Sequence, residues 1–257
     1  MKITIIGAGN MGGAIARALF VSSYSKAADI TCTARSQQSL SRFSQGFNLT
    51  TDNRAAVEGA DLVIFAVKPW MMEEVVRDIA PYMDLERQIV ASVAAGVSHG
   101  QLTDWLGGTP AVFQIMPNTA IEVGSGVTFI SSSNASQQQI DLIVDMFSRM
   151  GYALYVKDEM MDAGMALASC GIAYAMKYIQ ASVQGGVEMG FTPELACKIV
   201  EHTVKGAAEL LLATGNPPQT EIDKVTTPGG ITMKGLAAME QAGFTSAVIS
   251  GLENSKK

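Results

Sequence analysis

Gly7, Gly9 and Gly12 follow directly on the apolar run Ile3-Thr4-Ile5-Ile6, and a helix-forming stretch, Ala14 to Phe20, comes next. This spacing and context suit a dinucleotide phosphate site. The first glycine permits a tight turn, the second lets backbone approach a pyrophosphate, and the third lets a helix pack closely on a strand. The N-terminus of that helix then turns unpaired N–H groups toward the phosphates, and Asn10 and Met11, between the glycines, are cofactor-binding candidates. A second strand, Ile30 to Ala34, arrives at the distance such a unit requires and ends Ala34-Arg35-Ser36. The carboxylate that would bind a ribose 2′-hydroxyl is missing: between Gly12 and Asp52 the one acid is Asp29, at the beginning of the strand. Arg35 offers charge-assisted hydrogen bonds to a 2′-phosphate and Ser36 a further donor. These residues point to NADPH, with NADH as the alternative cofactor.

The elements that position them alternate β-rich runs with helical segments, the pattern of a parallel sheet with crossover helices. A polar helix is expected around Gln37 to Gln45, then a short extended segment, Leu49 to Asn53, and a helix from Ala55 to Gly59. Strands are expected at Leu62 to Val67, Ile89 to Val93, Ala111 to Ile115, Val127 to Ile130 and Tyr152 to Val156, with a helix from about Gln137 to Met150. Ligands of open α/β sheets lie beyond the carboxyl ends of the strands. Besides the glycine turn and Arg35-Ser36, those ends are Ala66-Val67-Lys68-Pro69, Ala94-Ala95-Gly96 and Met116-Pro117-Asn118. The small Ala94-Ala95-Gly96 corner suits a flat nicotinamide ring, and Asn53 is placed to reach the adenosine side.

From Met160 onward the sequence shows no strand, only long apolar helical stretches. Thr192 is a good N-cap before Pro193, and Gly215-Asn216-Pro217-Pro218 is a strong stop. Met165 to Gly190 is apolar almost all round, so it requires burial in a core or against a partner subunit. The expected organisation is therefore a dinucleotide-binding domain, residues 1–158, and a helical domain, residues 159–257. Within the second, Val225-Thr226-Thr227-Pro228-Gly229-Gly230-Ile231-Thr232 precedes a helix beginning near Met233. Threonine hydroxyls beside a helix N-terminus make a cradle for a carboxylate, although a plain capped loop has the same pattern.

Composition narrows the partners. Of 257 residues 48% are hydrophobic and 16% charged, with 25 Gly and 15 Met, an apolar balance that suggests a surface covered by another subunit. A net charge of −6 argues against nucleic acid or an anionic membrane. No apolar run reaches the length of a membrane span, and the N-terminal apolar run leads into the glycine turn rather than a cleavage site. Cys32, Cys170 and Cys197 are scattered, as expected of reduced thiols in the cytoplasm. With His99 and His202 the only histidines, no metal site is expected.

Taken together, the motifs resemble the pyrroline-5-carboxylate reductase family from end to end. The resemblance rests on Gly7 to Gly12, Ala66 to Pro69, Ala94 to Val97, Met116 to Thr119, Asp162-Ala163 with Ala173-Tyr174, Thr227 to Gly230 with Thr232, and Glu240 to Phe244. The segment Pro228-Gly229-Gly230 followed by Gly235-Leu236 is the most specific of these. The chain departs from the family pattern at Gln114-Ile115, where an Arg often precedes Met-Pro-Asn. It departs again at Cys170 and Ile172, and Thr227 stands in the place of a serine. The resemblance implies an α/β fold, a Rossmann-type doubly wound sheet followed by an all-helical dimerisation domain. It also implies hydride transfer from NADPH to a cyclic imine carboxylate, giving L-proline.

For that reaction Thr232 is the candidate donor to the imine nitrogen. Thr227, Gly229, Gly230 and Ile231 are candidates for the substrate carboxylate, and Lys68 is assigned a supporting role in the cofactor loop. Two alternatives stand beside this one. A β-hydroxyacid dehydrogenase would need a helix-borne lysine, for which Lys177 is the candidate, and it lacks the usual Asn four residues on. A non-catalytic NADPH-sensing protein would accommodate Cys170 and Ile172.

Overall fold

The computed structural model describes residues 1–43 and 46–256. They divide into two compact units, Met1–Ser169 and Cys170–Lys257. The first holds one eight-stranded sheet of order β3-β2-β1-β4-β5-β6-β7-β8. Its strands are β1 (Ile3–Ile6), β2 (Ile30–Thr33), β3 (Asn48–Thr50), β4 (Leu62–Phe65), β5 (Ile89–Ser92), β6 (Val112–Pro117), β7 (Gly126–Ser133) and β8 (Gly151–Tyr155). Every neighbouring pair is parallel except β6 with β7. The order reverses between β1 and β4, the switch point where α/β sheets bind their ligands.

Alternate residues of the central strands serve opposite faces. Ile3, Ile5, Leu62, Ile64, Ala91 and Phe113 pack toward α1 (Asn10–Val21) and α6 (Gln137–Ser148), through Ile15, Leu19, Ile143 and Phe147. Ile6, Val63, Phe65, Val90 and Val112 face α3 (Asn53–Val57), α4 (Met72–Ile79) and α5 (His99–Leu106). Because both faces are covered, the inner strands read as continuous apolar runs. Two of these helices are absent from the sequence reading. Helix α4 carries its signal in Met72, Val76 and Ile79, all buried and one helical turn or so apart. Helix α5 carries a capping box in which Ser98 accepts the Gln101 N–H and the Gln101 side chain accepts the Ser98 N–H. The polar helix expected over Gln37 to Gln45 is a single turn, α2 (Gln37–Leu40), with Ser36 as its N-cap; Gln45 lies outside the described residues.

The first unit continues past residue 158. Helix α7 (Met161–Gly164) leads into a π-helical stretch, Met165–Cys170, and the Asn118 side chain donates to the Ala168 carbonyl at 3.4 Å. The stretch Met165 to Gly190 is therefore not one helix: α8 (Gly171–Glu188) starts only after the π turn.

The second unit is helical throughout: α8, α9 (Pro193–Thr214), α10 (Pro218–Lys224), α11 (Ile231–Gln241) and α12 (Phe244–Glu253). Helices α8 and α9 meet where Gly186 lies against Ala196. The Tyr174 hydroxyl donates to the Gly251 carbonyl at 3.1 Å, tying α8 to α12. Burial inside the unit is slight, with Gly186 the one buried residue of α8 and none buried in α11 or α12. The apolar helix is thus not enclosed by its own chain.

The glycine turn is held by sterics that differ from glycine to glycine. Gly7 adopts φ +94°, and a Cβ on Gly12 would stand 2.4 Å from the Gly7 carbonyl oxygen. A Cβ on Gly9 would meet only that same oxygen, at 3.9 Å. Gly12→Ala is therefore expected to cost about 1–3 kcal/mol, the scale of overpacking, and several degrees in Tm. Gly9→Ala should stay within about 0.5 kcal/mol of the parent, as an open surface position does. Thermal melts of the two variants side by side check this.

Candidate active site

A cleft of about 840 Å³ opens at the carboxyl ends of β1, β2, β4 and β5. Its floor is the turn Gly7, Ala8, Gly9, Asn10 and Met11. The turn is fixed from β2: Thr33 accepts the Ala8 N–H on its carbonyl at 2.7 Å and the Gly7 N–H on its hydroxyl at 3.3 Å. Gly9 is the N-cap of α1 and no side chain caps that helix, so among the described residues its first-turn N–H groups have no partner. No packing within the protein requires a glycine at position 9, so the bare backbone there fits the approach of a phosphate.

One wall is Ala66, Val67, Lys68 and Pro69 from β4, joined by Ala94 and Ala95 from β5. The opposite wall is Ala34 and Arg35 with Ser39 and Arg42 from the turn that follows β2. Of the other sequence candidates, Gly12 is buried within α1, and Ser36 accepts the Ser39 N–H as the cap of α2. Asn53 opens α3, whose cap is Asp52, and Gly96 follows β5 with φ +79°. None of these four lines the cleft among the described residues. Sequence reasoning passed over Ser39, Arg42, Met71, Thr119 and Glu122, which do line it. Glu122 is the one carboxylate in the lining, and it is bound to the Arg17 guanidinium. The cleft is thus cationic, in a chain of net charge −6.

In the second unit the segment 225–230 links α10 to α11. Gly229 has φ +73°, and Gly230 donates its N–H to the Thr227 carbonyl at 2.8 Å, closing a turn. The Thr227 hydroxyl folds over Gly230 so closely that a Cβ there would lie 2.5 Å from it. Gly230 is the N-cap of α11, without a side-chain cap, and Ile231 and Thr232 form the exposed first turn. The Gly230 N–H is therefore committed within the turn, while the first-turn N–H groups that follow it are of the kind a helix leaves unpaired.

The dimerisation-domain profile of pyrroline-5-carboxylate reductases matches residues 158–257, and the profile "NADP oxidoreductase coenzyme F420-dependent" matches residues 2–96. Pyrroline-5-carboxylate reductase 2 of Dictyostelium discoideum is 32% identical, over 98% of this chain and 89% of its own. The chain belongs to the pyrroline-5-carboxylate reductase family. The Arabidopsis thaliana reductase is 33% identical, over 98% of this chain and 91% of the relative. The chain spans about half the length (48%) of another Dictyostelium relative, pyrroline-5-carboxylate reductase 1, at 34% identity. Among solved structures, the Plasmodium falciparum enzyme with NADP bound superposes with a TM-score of 0.91 at 28% identity, covering 99% of this chain and 95% of that one. The Coxiella burnetii enzyme gives 0.90 at 29%, with the same coverage. Members of this family are NAD(P)H-dependent oxidoreductases acting on a C=N bond. The family and the fold class read from the motifs both hold. A β-hydroxyacid dehydrogenase centred on Lys177 is set aside.

Within this family member, Glu221 of α10 stands just before the Thr227 turn and is buried. Its carboxylate accepts from Asn216 Nδ2 at 2.6 Å and from Lys224 Nζ at 2.7 Å. The Asn216 hydrogen bond first, then that of Lys224, holds its pKa below the ordinary value of 4.5. A depressed carboxylate pKa adds stability above that ordinary value, and the increment is lost as the pH falls through the lower, folded-state value. Glu221→Gln is expected to melt below the parent at pH 7, and the gap should close as the pH drops below about 4.5. Melting curves of both proteins between pH 7 and pH 3 measure it.

Proposed function

We propose that this chain reduces pyrroline-5-carboxylate to L-proline with NADPH, as a cytoplasmic homodimer or larger homo-oligomer. The observation that carries the cofactor choice is the cleft wall at the end of β2: Arg35 stands there, with no carboxylate to meet a ribose 2′-hydroxyl. The NADP-bound relative supports the same choice. The first-turn N–H groups of α1, at Asn10 and Met11, would hold the pyrophosphate where it passes over the bare backbone of Gly7 and Gly9, whose own N–H groups are committed within the turn. Arg35 and the Ser39 hydroxyl would hold the 2′-phosphate, with Ser36 capping the turn that carries Ser39. Ala66, Val67 and Pro69, with Ala94 and Ala95, leave a low apolar wall for the rings, and Lys68 supports that loop.

The bound cofactor supplies a hydride for the C=N carbon. The chain's own task is to hold the imine and to stabilise its nitrogen while that nitrogen becomes an amine. A cyclic imine takes its proton from water near neutral pH, so no strongly acidic side chain is required. Thr232 donates its hydroxyl to the nitrogen as hydride transfer gives that nitrogen its lone pair. The substrate carboxylate sits on the Ile231 N–H and the Thr227 hydroxyl, with Gly229 and Gly230 giving the turn its shape. Self-association is supported by the matched dimerisation domain and by the scarcity of buried side chains in α8, α11 and α12. The cytoplasmic placement is supported by the three free cysteines.

The loss of NADPH absorbance on adding the cyclic imine tests the activity, and absence of turnover would overturn it in favour of a sensing role. Thr232→Ala should lower kcat/KM about ten-fold or more, the scale of one lost positioning contact, with the Kd for NADPH unchanged. Full turnover in that variant would remove Thr232 from the site. Light scattering should return a mass of at least two chains, and a monomer mass would refute the oligomer.

A further inference from the structure

We propose that Arg42 is a second cation for the 2′-phosphate of NADPH, beside Arg35; this rests on the NADPH reading above. Arg42 stands outside the glycine turn and beyond the end of β2, and no sequence motif marks it. The fold brings its side chain into the same cleft wall as Arg35 and Ser39. There the guanidinium is held from two sides. Its Nη2 donates to the Ala8 carbonyl, inside the phosphate turn, and its carbon lies 5.4 Å from the centre of the Phe43 ring. A guanidinium carries five N–H donors in a rigid fork, so one bond to Ala8 orients it and leaves the others for a ligand.

The arginines other than Arg35 and Arg42 are paired within the protein, and of the remaining cations among the described residues only Lys68 shares the cleft lining, on the wall from β4. Arg17 is bound to Glu122, Arg54 to Asp78, and Arg77 to Glu73 and Asp104. Among the described residues no carboxylate lies within ion-pair distance of Arg42 or of Arg35. In a chain of net charge −6, two arginines on one cleft wall without an acidic partner call for an anion from outside. A phosphomonoester dianion matches that pair and the Ser39 hydroxyl; a ribose hydroxyl matches neither guanidinium.

A purely structural role for Arg42 makes a different prediction. The Ala8 contact braces the turn that holds the pyrophosphate, which NADPH and NADH share, so losing the brace alone would weaken both cofactors alike. Calorimetric titration of the wild-type protein, Arg42→Met and Arg42→Lys with NADPH and with NADH separates the two. The methionine keeps an apolar stem for the Phe43 ring and removes every donor. It should raise the Kd for NADPH at least about ten-fold, the worth of one charge-assisted hydrogen bond, and leave that for NADH within about two-fold. The lysine, which keeps the charge without the fork, should recover part of the loss. A wild-type protein that prefers NADPH, with an Arg42→Met variant that keeps the same NADPH-to-NADH ratio, overturns the role of Arg42 alone. A wild-type protein that binds both cofactors equally overturns the NADPH assignment and Arg42 with it.

Discussion

The contact on which the nucleotide-binding unit depends is the approach of α1 to the end of β1, where Gly12 passes the Gly7 carbonyl with no room for a side chain. That closeness aims the helix N-terminus at the switch point of the sheet, and the parallel register does the rest. Ile6 pairs with Thr33 and with Phe65, and Phe65 with Ser92, so the loops after β1, β2, β4 and β5 emerge at one level. A slip of one residue in any of these pairings would turn alternate side chains to the wrong face and carry its loop out of the cleft. The apolar runs that fill both faces thus fix where the loops emerge as well as the stability of the core.

Within that frame the three glycines have unequal reasons. Gly7 and Gly12 answer to the protein's own packing, whereas Gly9 has open space before it. Packing gives no reason for the lack of a side chain at Gly9, and the close approach of a ligand does. The same logic applies to the arginines: Arg17 is balanced by Glu122, while Arg35 and Arg42, on the opposite wall of the cleft, have no such partner among the described residues. Where the fold already accounts for a residue, that residue says little about ligands. Where it does not, the residue carries the information.

This division explains what could be read from the sequence. Backbone-driven features were legible: the glycine turn, the apolar strands, the Thr192 cap and the Gly215 stop all have local signatures, and the eight strands fall close to their expected places. Features made by long-range contact were not. Arg42 becomes a cleft residue only because it reaches Ala8, 34 positions earlier, and Glu122 because a 3-10 turn lies against α1. Nor does the motif at residues 227–230 disclose that the Gly230 N–H is committed to the Thr227 carbonyl. That commitment moves the donor available to a carboxylate one residue on, to Ile231.

The helical unit obeys a different constraint. Leu212, Met189 and Ile231 are more than three-quarters exposed, and the long helices α8 and α9 bury one small residue each, at the point where they touch. The apolar area so left in water by one chain is the kind that association removes. Two sequence properties that look unrelated then have one cause: the low charge content and the apolar character of α8 over most of its circumference, outside the one polar stripe of Lys177, Gln180, Gln184 and Glu188. An ordinary amphipathic helix needs one apolar stripe, because one neighbour covers it. A helix that must also meet other surfaces needs more than one. Small residues such as Gly186 and Ala196, set where the backbones come closest, let two such helices pack without spending the large side chains on each other. Those side chains, Ile199, Leu195 and Met176 among them, stay available for a second copy of the unit.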